Sequence, residues 1–425
     1  MFQSFFPNPK LYFISAAIWS FICVVGWYLV VQDWGPSLSL ATHLGIDFPA
    51  ALVEGADEEA TAAFAAGQKK ATDWWFYQFM LFAYGAFTLF WYLYSPHKWS
   101  RWSVLGSSII IFVVWFQVHI DVLINNWFGE FYDLIQNGLS APDTITAEQY
   151  YGSWMIFAKL AFFAVSVSVV NRFFVSHYIF RWRTAMNDYY TERWDKINKI
   201  EGASQRVQED TMRFAAIMEG LGVALIDSIM TLIAFLPILW GLSVHVKEIP
   251  ILGAVPHALV WIAIAWALLG TGILALAGIK LPGLEFRNQR VEAAYRKELV
   301  LGEDNAARAQ PPTLGDLFGN VRKNYFRLYF NYLYFNVFRY AYLQVSVFVP
   351  YMALAPSIIA GGITLGIMQQ TLRAFGRVEG SFQFLVHSWT TIVELLSIYK
   401  RLMAFEAAID GKPLPPIDEN YKQEF

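Results

Sequence analysis

Apolar runs of about 20 residues alternate with polar segments along most of this chain. A helix of that length matches the thickness of the hydrocarbon layer of a membrane. The pattern therefore predicts an all-α polytopic membrane protein with about eight transmembrane helices. The predicted spans are residues 11–31, 74–94, 103–127, 151–173, 214–241, 257–279, 326–350 and 377–399.

Two polar connections are much longer than simple loops. They cover residues 174–213 and 280–325, are rich in helix-forming side chains, and are predicted to form cytoplasmic helical hairpins that continue the membrane helices. Lys and Arg concentrate in both connections. The positive-inside rule then predicts that these connections and both chain termini are cytoplasmic.

The predicted organisation has three parts. Residues 1–102 hold two additional N-terminal membrane helices and an external loop at 32–73. Residues 103–400 form a core of about six membrane helices. Residues 401–425 form a cytoplasmic tail.

The composition agrees with a membrane protein and narrows the chemistry. Of the 425 residues, 56% are hydrophobic and 15% are charged, whereas soluble domains carry about 25% charged residues. The net charge of −3 does not provide the basic surface that binds nucleic acid. The single cysteine, Cys23, cannot form a disulfide within the chain. His119 and Asp121 lie two positions apart, which on a helix does not converge on one metal ion, and no metal or cofactor is expected.

Two carboxylates, Glu219 and Asp227, interrupt the apolar run 214–241. A charge in a bilayer costs about 2.5 kcal/mol or more, so such a group must be paired, protonated or exposed to water. Each condition suits a transporter better than a passive anchor. Plainer interpretations stay open, with Glu219 as an acid at the membrane interface and Asp227 as a hydrogen-bonding group between helices. Glu394 is predicted to be a packing or ion-pairing residue.

Three further glutamates, Glu285, Glu292 and Glu303, share one face of the predicted helix in the second polar connection. At about 100° per residue they fall within about 20° of one another, and they span about 27 Å. Neighbouring bases such as Arg287 and Arg290 offer a plainer interpretation, in which these acids form ordinary ion pairs on a cytoplasmic helix.

Several long strings resemble the SbmA/BacA family of bacterial inner-membrane peptide transporters. They are FFVSHYIFRWRTAMN at 173–187, QRVQEDTMRF at 205–214 and GIKLPGLEF at 278–286, with shorter matches such as FYDLIQ at 131–136. The similarity covers nearly the whole chain and is weakest at about 32–72 and in the C-terminal tail.

The resemblance implies an importer of peptides, including antimicrobial peptides and peptide-like toxins, in the bacterial inner membrane. The family is thought to use a ladder of cavity glutamates for proton-driven import, and the matching positions here are Glu219, Glu292 and Glu303. Asp227, Glu285 and Glu209 are secondary candidates. Cationic peptides are the expected substrates, because the membrane potential favours their entry by about 2.3 kcal/mol per charge per 100 mV.

A deeper similarity links 357–366 and 375–378 to the membrane half of ABC exporters of the peroxisomal fatty-acid type. It implies a six-helix core that works as a homodimer with alternating access. The sequence contains no G-x-x-x-x-G-K-[ST] phosphate loop, so no nucleotide is expected to bind in that way. An ion gradient or a separate ATPase would then drive transport.

Three functions follow from these interpretations. The first is a secondary active, proton-coupled peptide importer, which is not an enzyme. The second is the membrane subunit of an ABC transporter whose ATPase is another chain. The third is a lipid-processing membrane enzyme. The sequence contains neither a nucleophile elbow nor an H-E-x-x-H motif, which argues against this function.

Overall fold

The structure, a computed structural model, describes residues 1–50, 58–141, 143–200, 203–246, 248, 253–305 and 307–413. In these ranges the chain is almost entirely helical and contains no β-strand, which confirms the predicted all-α fold class. The longer helices are α1 (Pro9–Leu29), α2 (Glu58–Tyr94), α3 (Ser107–Ser140), α4 (Ala147–Thr191), α5 (Thr211–Leu242), α6 (Ala258–Gly278), α7 (Leu281–Asp304), α8 (Pro311–Ser346), α9 (Val349–Ile359), α10 (Leu365–Phe382) and α11 (Trp389–Ile409).

Short helical segments connect these elements. Single α-turns cover Gly35–Leu38, Trp194–Ile197, Ala203–Gln205 and Phe384–His387, and 3₁₀ turns cover Val31–Trp34, Leu40–Leu44 and Ser243–His245. Two π-helical segments, Arg101–Gly106 and Arg206–Asp210, lead directly into α3 and α5.

Six helical segments within the described residues are long and apolar enough to cross a membrane, fewer than the eight predicted from the sequence. They are Pro9–Leu29, Arg101–Ser140, Ala147–Thr191, Ala203–His245, Ala258–Glu303 and Pro311–Ile359. The predicted span 74–94 lies in α2, where numerous Trp and Tyr side chains lower the apolar character. The predicted span 377–399 is not one helix, because the chain breaks between α10 and α11.

Several helices are much longer than a bilayer is thick. α4 has 45 residues and is therefore about 67 Å long, against about 30 Å of hydrocarbon. The predicted span 151–173 and the first part of the polar connection after it belong to this one helix. Of the segment predicted as an external loop at 32–73, residues 51–57 lie outside the described part, and the chain is helical from Glu58 onward. Residues 414–425 of the predicted tail also lie outside it.

The chain divides into two compact units. The first comprises Met1–Val113, Phe173–Thr211 and Ala408–Lys412, and the second comprises Val114–Arg172, Met212–Ala407 and Pro413–Phe425. All the residues of the candidate site except Glu209 belong to the second unit.

An aromatic cluster forms the interior of the first unit. The fully buried ring of Phe5 stacks on Trp182 with ring centroids 5.6 Å apart, and Tyr178 meets Phe5 edge-on at 5.3 Å. The Tyr178 hydroxyl also shares a hydrogen bond of 2.8 Å with Ser107. Aromatic pairs of this geometry contribute about 0.5–1.5 kcal/mol each beyond their buried area.

Two apolar clusters hold the second unit together. One joins α5, α6, α9 and α10 through buried residues that include Leu239, Leu259 and Phe375. The other joins α6, α7 and α8 through Leu274 and Leu328 among others. Full burial of such a side chain stabilises a fold by about 1.5–3 kcal/mol.

The N-terminus of α10 is fixed by polar side chains of α3. The first backbone N–H groups of a helix have no partner inside that helix. Here the N–H of Leu365 donates to Gln136 Oε1 at 2.6 Å, and the N–H of Gly366 donates to Asp133 Oδ1 at 2.9 Å. The Asp133 carboxylate also complements the positive end of the helix dipole.

Glycine at position 366 is required by this close approach. A Cβ built on Gly366 would lie 2.1 Å from the carbonyl oxygen of Gly129 and 2.5 Å from the carboxyl carbon of Asp133. Because one neighbour is backbone, the clash cannot be relieved by rotating a side chain. Any larger residue must separate α10 from α3.

We expect Gly366→Ala to lower the free energy of unfolding of the purified protein by about 1–3 kcal/mol, the usual cost of overpacking. The measurement is thermal or denaturant unfolding in detergent. Gly376→Ala in the same helix is the matched control, since a Cβ there meets nothing within 4 Å. The control is expected to be neutral or stabilising, because alanine is the better helix former. Equal stability of the two variants would contradict the close-contact argument.

Candidate functional site

Glu219 lies in the third turn of α5 and faces α4. Its side chain is only 11% exposed, and its Oε1 accepts a hydrogen bond of 3.2 Å from Nη1 of Arg172, whose side chain is 77% exposed. The anion is thus sheltered while its cation reaches outward. Such an asymmetric pair depends on the glutamate being charged, because a neutral carboxyl group would hold the arginine only weakly.

Asp121 of α3 is held by two arginines of α10. Arg377 donates a hydrogen bond to Oδ2, and Arg373 Nη2 lies 3.5 Å from Oδ1. The two arginines are four residues apart, so they lie on the same face of the helix, one turn from each other. The Arg373 guanidinium also packs over the ring of Phe128, 4.9 Å from its centroid. Through these contacts Asp121 joins α3 to α10.

Asp227 lies two turns beyond Glu219 on α5, close to this charge cluster. Arg377 and Asp121 both interact with it electrostatically, with opposite signs. The arrangement brings an aspartate of α5 next to an ion pair that joins α3 and α10. Asp227 therefore lies within electrostatic range of the ion pair between Asp121 and Arg377.

The three glutamates on one face of α7 have different surroundings. α7 is continuous through Gly302, as their predicted spacing requires. Glu285 accepts a hydrogen bond of 3.0 Å from the Tyr332 hydroxyl. Glu292 is half-buried and Glu303 is exposed. No ion pair to Glu285, Glu292 or Glu303 occurs among the described residues. The ion pairs with neighbouring bases that the sequence left open for these three acids are therefore not seen there.

Two other acids do form ordinary ion pairs. Glu298 lies 3.6 Å from Arg308, and its Oε1 also accepts the backbone N–H of Ala309. Glu394 lies 3.6 Å from Arg213 and is thus an ion-pairing residue, as predicted. Glu209, in the first unit, accepts a hydrogen bond of 2.9 Å from Gln205 one turn earlier.

A buried carboxylate that the sequence reasoning missed is Glu379 of α10. It is 8% exposed, and its Oε1 accepts hydrogen bonds from Tyr342 at 3.1 Å, Ser346 at 2.7 Å and Gln383 at 2.8 Å. The first two donors lie on α8, four residues apart. All three donors are neutral. The sequence did contain one signal of this network: Tyr342 and Ser346 are four residues apart, as are Glu379 and Gln383, so each pair of polar side chains lies on one helix face.

α6 completes this polar network. The indole N–H of Trp266 donates to Ser346 Oγ at 2.7 Å, and the Trp266 ring stacks on Tyr342 with centroids 5.3 Å apart. Gly270 lies beneath the Tyr342 ring, where a Cβ would approach within 2.1 Å of the phenol carbon. The glycine and the stacked indole therefore fix the position of the Tyr342 hydroxyl.

No group of three or more His, Cys, Asp or Glu side chains could hold a metal ion in the part of the chain that the structure describes. The structure places Asp227 near Asp121 and Arg377, and it pairs Glu219 with Arg172. Among the described residues, no contact joins Glu219 to the glutamates of α7.

Long apolar helices with compensated charges at their interior faces define a multi-pass membrane protein of the transporter class. The family model for the SbmA/BacA-like family matches residues 96–410, which is most of the chain. The chain belongs to the SbmA/BacA-like family, and the resemblance noted in its sequence is confirmed.

Its similarity to curated proteins points to ABC transporters. The inner membrane ABC transporter ATP-binding protein YddA of Escherichia coli (strain K12) is 27% identical over 340 residues, covering 74% of this chain and 59% of that protein. An uncharacterized ABC transporter ATP-binding protein of Synechocystis is 24% identical over 336 residues, covering 74% and 47%. ABC transporter D family member 2, chloroplastic, of Arabidopsis thaliana is 24% identical over 260 residues, covering 56% and 35%. The chain thus spans only part of the length of these relatives.

We expect Asp121→Asn to lower the free energy of unfolding by about 1–3 kcal/mol, between the values for exposed and buried ion pairs. It removes the carboxylate that both arginines contact, whereas Arg373→Gln or Arg377→Gln alone leaves Asp121 still paired. Each arginine variant should therefore cost less than Asp121→Asn. The measurement is unfolding of the purified variants, with the exposed Glu148→Gln as control. Equal costs for all three substitutions would show that the second arginine does not compensate for the first.

Proposed function

We propose that this chain imports peptides across the bacterial inner membrane, driven by the inward proton gradient. In this proposal it is a secondary active transporter, works as a homodimer with alternating access, and has both termini in the cytoplasm. Membership of the SbmA/BacA-like family and the transporter relatives support the class. The peptide substrate and the proton coupling are carried over from the family resemblance.

The observation that carries the proposal is the pair formed by Glu219 and Arg172. A carboxylate inside an apolar helix marks an ion or substrate pathway far more often than a lipid contact. The 11% exposure of Glu219 shelters it, while its partner is reachable from outside the chain. Protonation of Glu219 would release Arg172, and deprotonation would capture it again. One proton can thereby change a contact between α4 and α5.

A transport cycle follows from this exchange. In the outward-facing state, Glu219 takes up a proton as the peptide enters. Neutralisation lowers the cost of closing the cavity, because an uncompensated carboxylate no longer has to be buried. Release of the proton to the cytoplasm restores the charge and resets the transporter. Glu292 and Glu303 on α7 are the proposed continuation of the proton path toward the cytoplasm.

The preference for cationic peptides has two sources in this proposal. The membrane potential favours inward movement of positive charge, by about 2.3 kcal/mol per charge per 100 mV. Acidic groups along the path, including Asp227, Glu285 and Glu292, would raise the local concentration of cations.

The surface of α4 is compatible with the proposed homodimer. None of the residues in its most apolar stretch is buried within the chain. Exposed apolar side chains such as Phe162, Phe173 and Val169 therefore face either lipid or a second subunit. Two six-helix cores around one cavity is the arrangement that the exporter-like resemblance implies.

A second candidate function is the membrane subunit of an ABC transporter. The relatives in Escherichia coli and Synechocystis are named as ATP-binding proteins, and this chain matches only part of each. A separate ATPase chain would then supply the energy, and the polar helical connections would offer docking surfaces. This alternative predicts that transport needs ATP and a partner.

We expect proteoliposomes that contain only this chain to accumulate a fluorescent cationic peptide under an imposed inward proton gradient, and an uncoupler to abolish the accumulation. Glu219→Gln, Glu292→Gln and Glu303→Gln should each abolish uptake without affecting membrane insertion, because an amide cannot bind the transported proton. Glu148→Gln, an exposed acid at the start of α4, is the control and should transport normally.

Full activity in all three glutamine variants would reject the assignment of these residues. Uptake that requires added ATP and a second protein, and ignores the uncoupler, would favour the ABC subunit. Absence of uptake under either condition, with folding and orientation verified, would reject cationic peptides as the substrate.

A further inference from the structure

Glu379 has no ion pair in the described part of the chain, although it is 8% exposed. An uncompensated buried carboxylate is costly, by several kcal/mol, unless it is hydrogen-bonded or neutralised by a proton. The three donors around Oε1 are a hydroxyl, a phenol and an amide, and none of them carries a charge that would fix the carboxyl group in its ionised form. The network can therefore accommodate Glu379 in either protonation state.

The Tyr342 hydroxyl shows how the network accommodates both states. It lies 3.1 Å from Glu379 Oε1 and 3.2 Å from the carbonyl oxygen of Trp266, and it accepts the amide N–H of Gln383. A phenol has one O–H to donate, so it can satisfy only one of these two acceptors at a time. It donates to Glu379 when the carboxylate is charged. When Glu379 is protonated, the Tyr342 O–H can turn to the Trp266 carbonyl.

The charged groups around Glu379 lie on several elements. His387, in the short helix Phe384–His387, interacts electrostatically with both Glu379 and Arg339 of α8. Arg377 lies two positions earlier on α10 and is engaged by Asp121. From α6, the network receives the indole N–H of Trp266, and the indole group does not titrate. His387 itself is exposed.

We propose that Glu379 is a proton-binding group of the transport cycle, and that its charge decides how tightly α10 is held to α8. This inference rests on the proposed proton-coupled function and adds a residue outside the glutamates that the family resemblance supplies. The ionised carboxylate draws in donors from α8 and, through Ser346, from Trp266 of α6. Hydrogen bonds to an ionised acceptor are about twice as strong as neutral ones, so a proton on Glu379 loosens α10 from α8.

Infrared difference spectroscopy of the purified full chain tests proton binding directly. Acidification is expected to produce the carbonyl-stretch band of a protonated carboxyl group, and Glu379→Gln should lack one component of it. Tyr342→Phe removes a hydrogen-bond donor to Oε1 of Glu379, so the same component should be altered in this variant. Glu148→Gln should leave the component unchanged. A spectrum of Glu379→Gln identical to that of the unmodified protein rejects the proposal.

Transport in proteoliposomes separates coupling from a purely structural role. Glu379→Gln is expected to lose proton-driven peptide accumulation but to keep the exchange of labelled for unlabelled peptide across the membrane without a gradient. Gradient-driven accumulation at the normal rate, or loss of both activities in a correctly folded variant, overturns the proposal. If the unmodified protein itself shows no gradient-driven uptake, the proposed function fails, and the infrared titration alone decides whether Glu379 binds a proton.

Discussion

Charge inside an apolar helix bundle must be compensated locally, and this requirement governs where the helices of the second unit meet. Asp121 is compensated by two arginines one helical turn apart, which fixes α10 against α3. Glu219 is compensated by a single, mostly exposed arginine. Glu379 is surrounded by neutral donors instead. The three carboxylates are thus accommodated in three different ways: by two cations, by one cation, and by neutral donors alone.

α10 occupies a central place in this arrangement because it takes part in two different kinds of polar contact. Side chains of α3 hold its first turn. Further along α10, Arg373 and Arg377 contact Asp121, which also lies on α3. Its last turn carries Glu379, which contacts α8. A change at Glu379 can therefore alter the end of α10 while its beginning stays attached. The close approach at Gly366 strengthens that fixed end.

Much of the fold was predictable because apolar length and basic connections are local properties of the sequence. Glu219 was recognisable because it interrupts an apolar run. Its partner Arg172 was not, since nothing local links residues 47 positions apart. The span predicted at 377–399 was wrong as a single helix, because the sequence does not indicate where α10 ends. Glu379 was missed for a related reason. It follows Arg377 in an amphipathic helix and resembles a solvated acid, and only the folded chain brings Tyr342 and Ser346 to it.

The polar contacts between α3 and α10 join residues 229 to 256 positions apart in the chain. Chains are synthesised at about 5–20 residues per second, so Asp121 emerges roughly ten to fifty seconds before its arginines exist. During that interval α3 has to be accommodated with an uncompensated aspartate, near water, protonated or held by the insertion machinery. Completion of the core thus depends on its last long helices arriving while α3 is still accessible. The separation between Asp121 and its two arginines along the chain therefore sets how long the incomplete protein has to hold this aspartate without its partners.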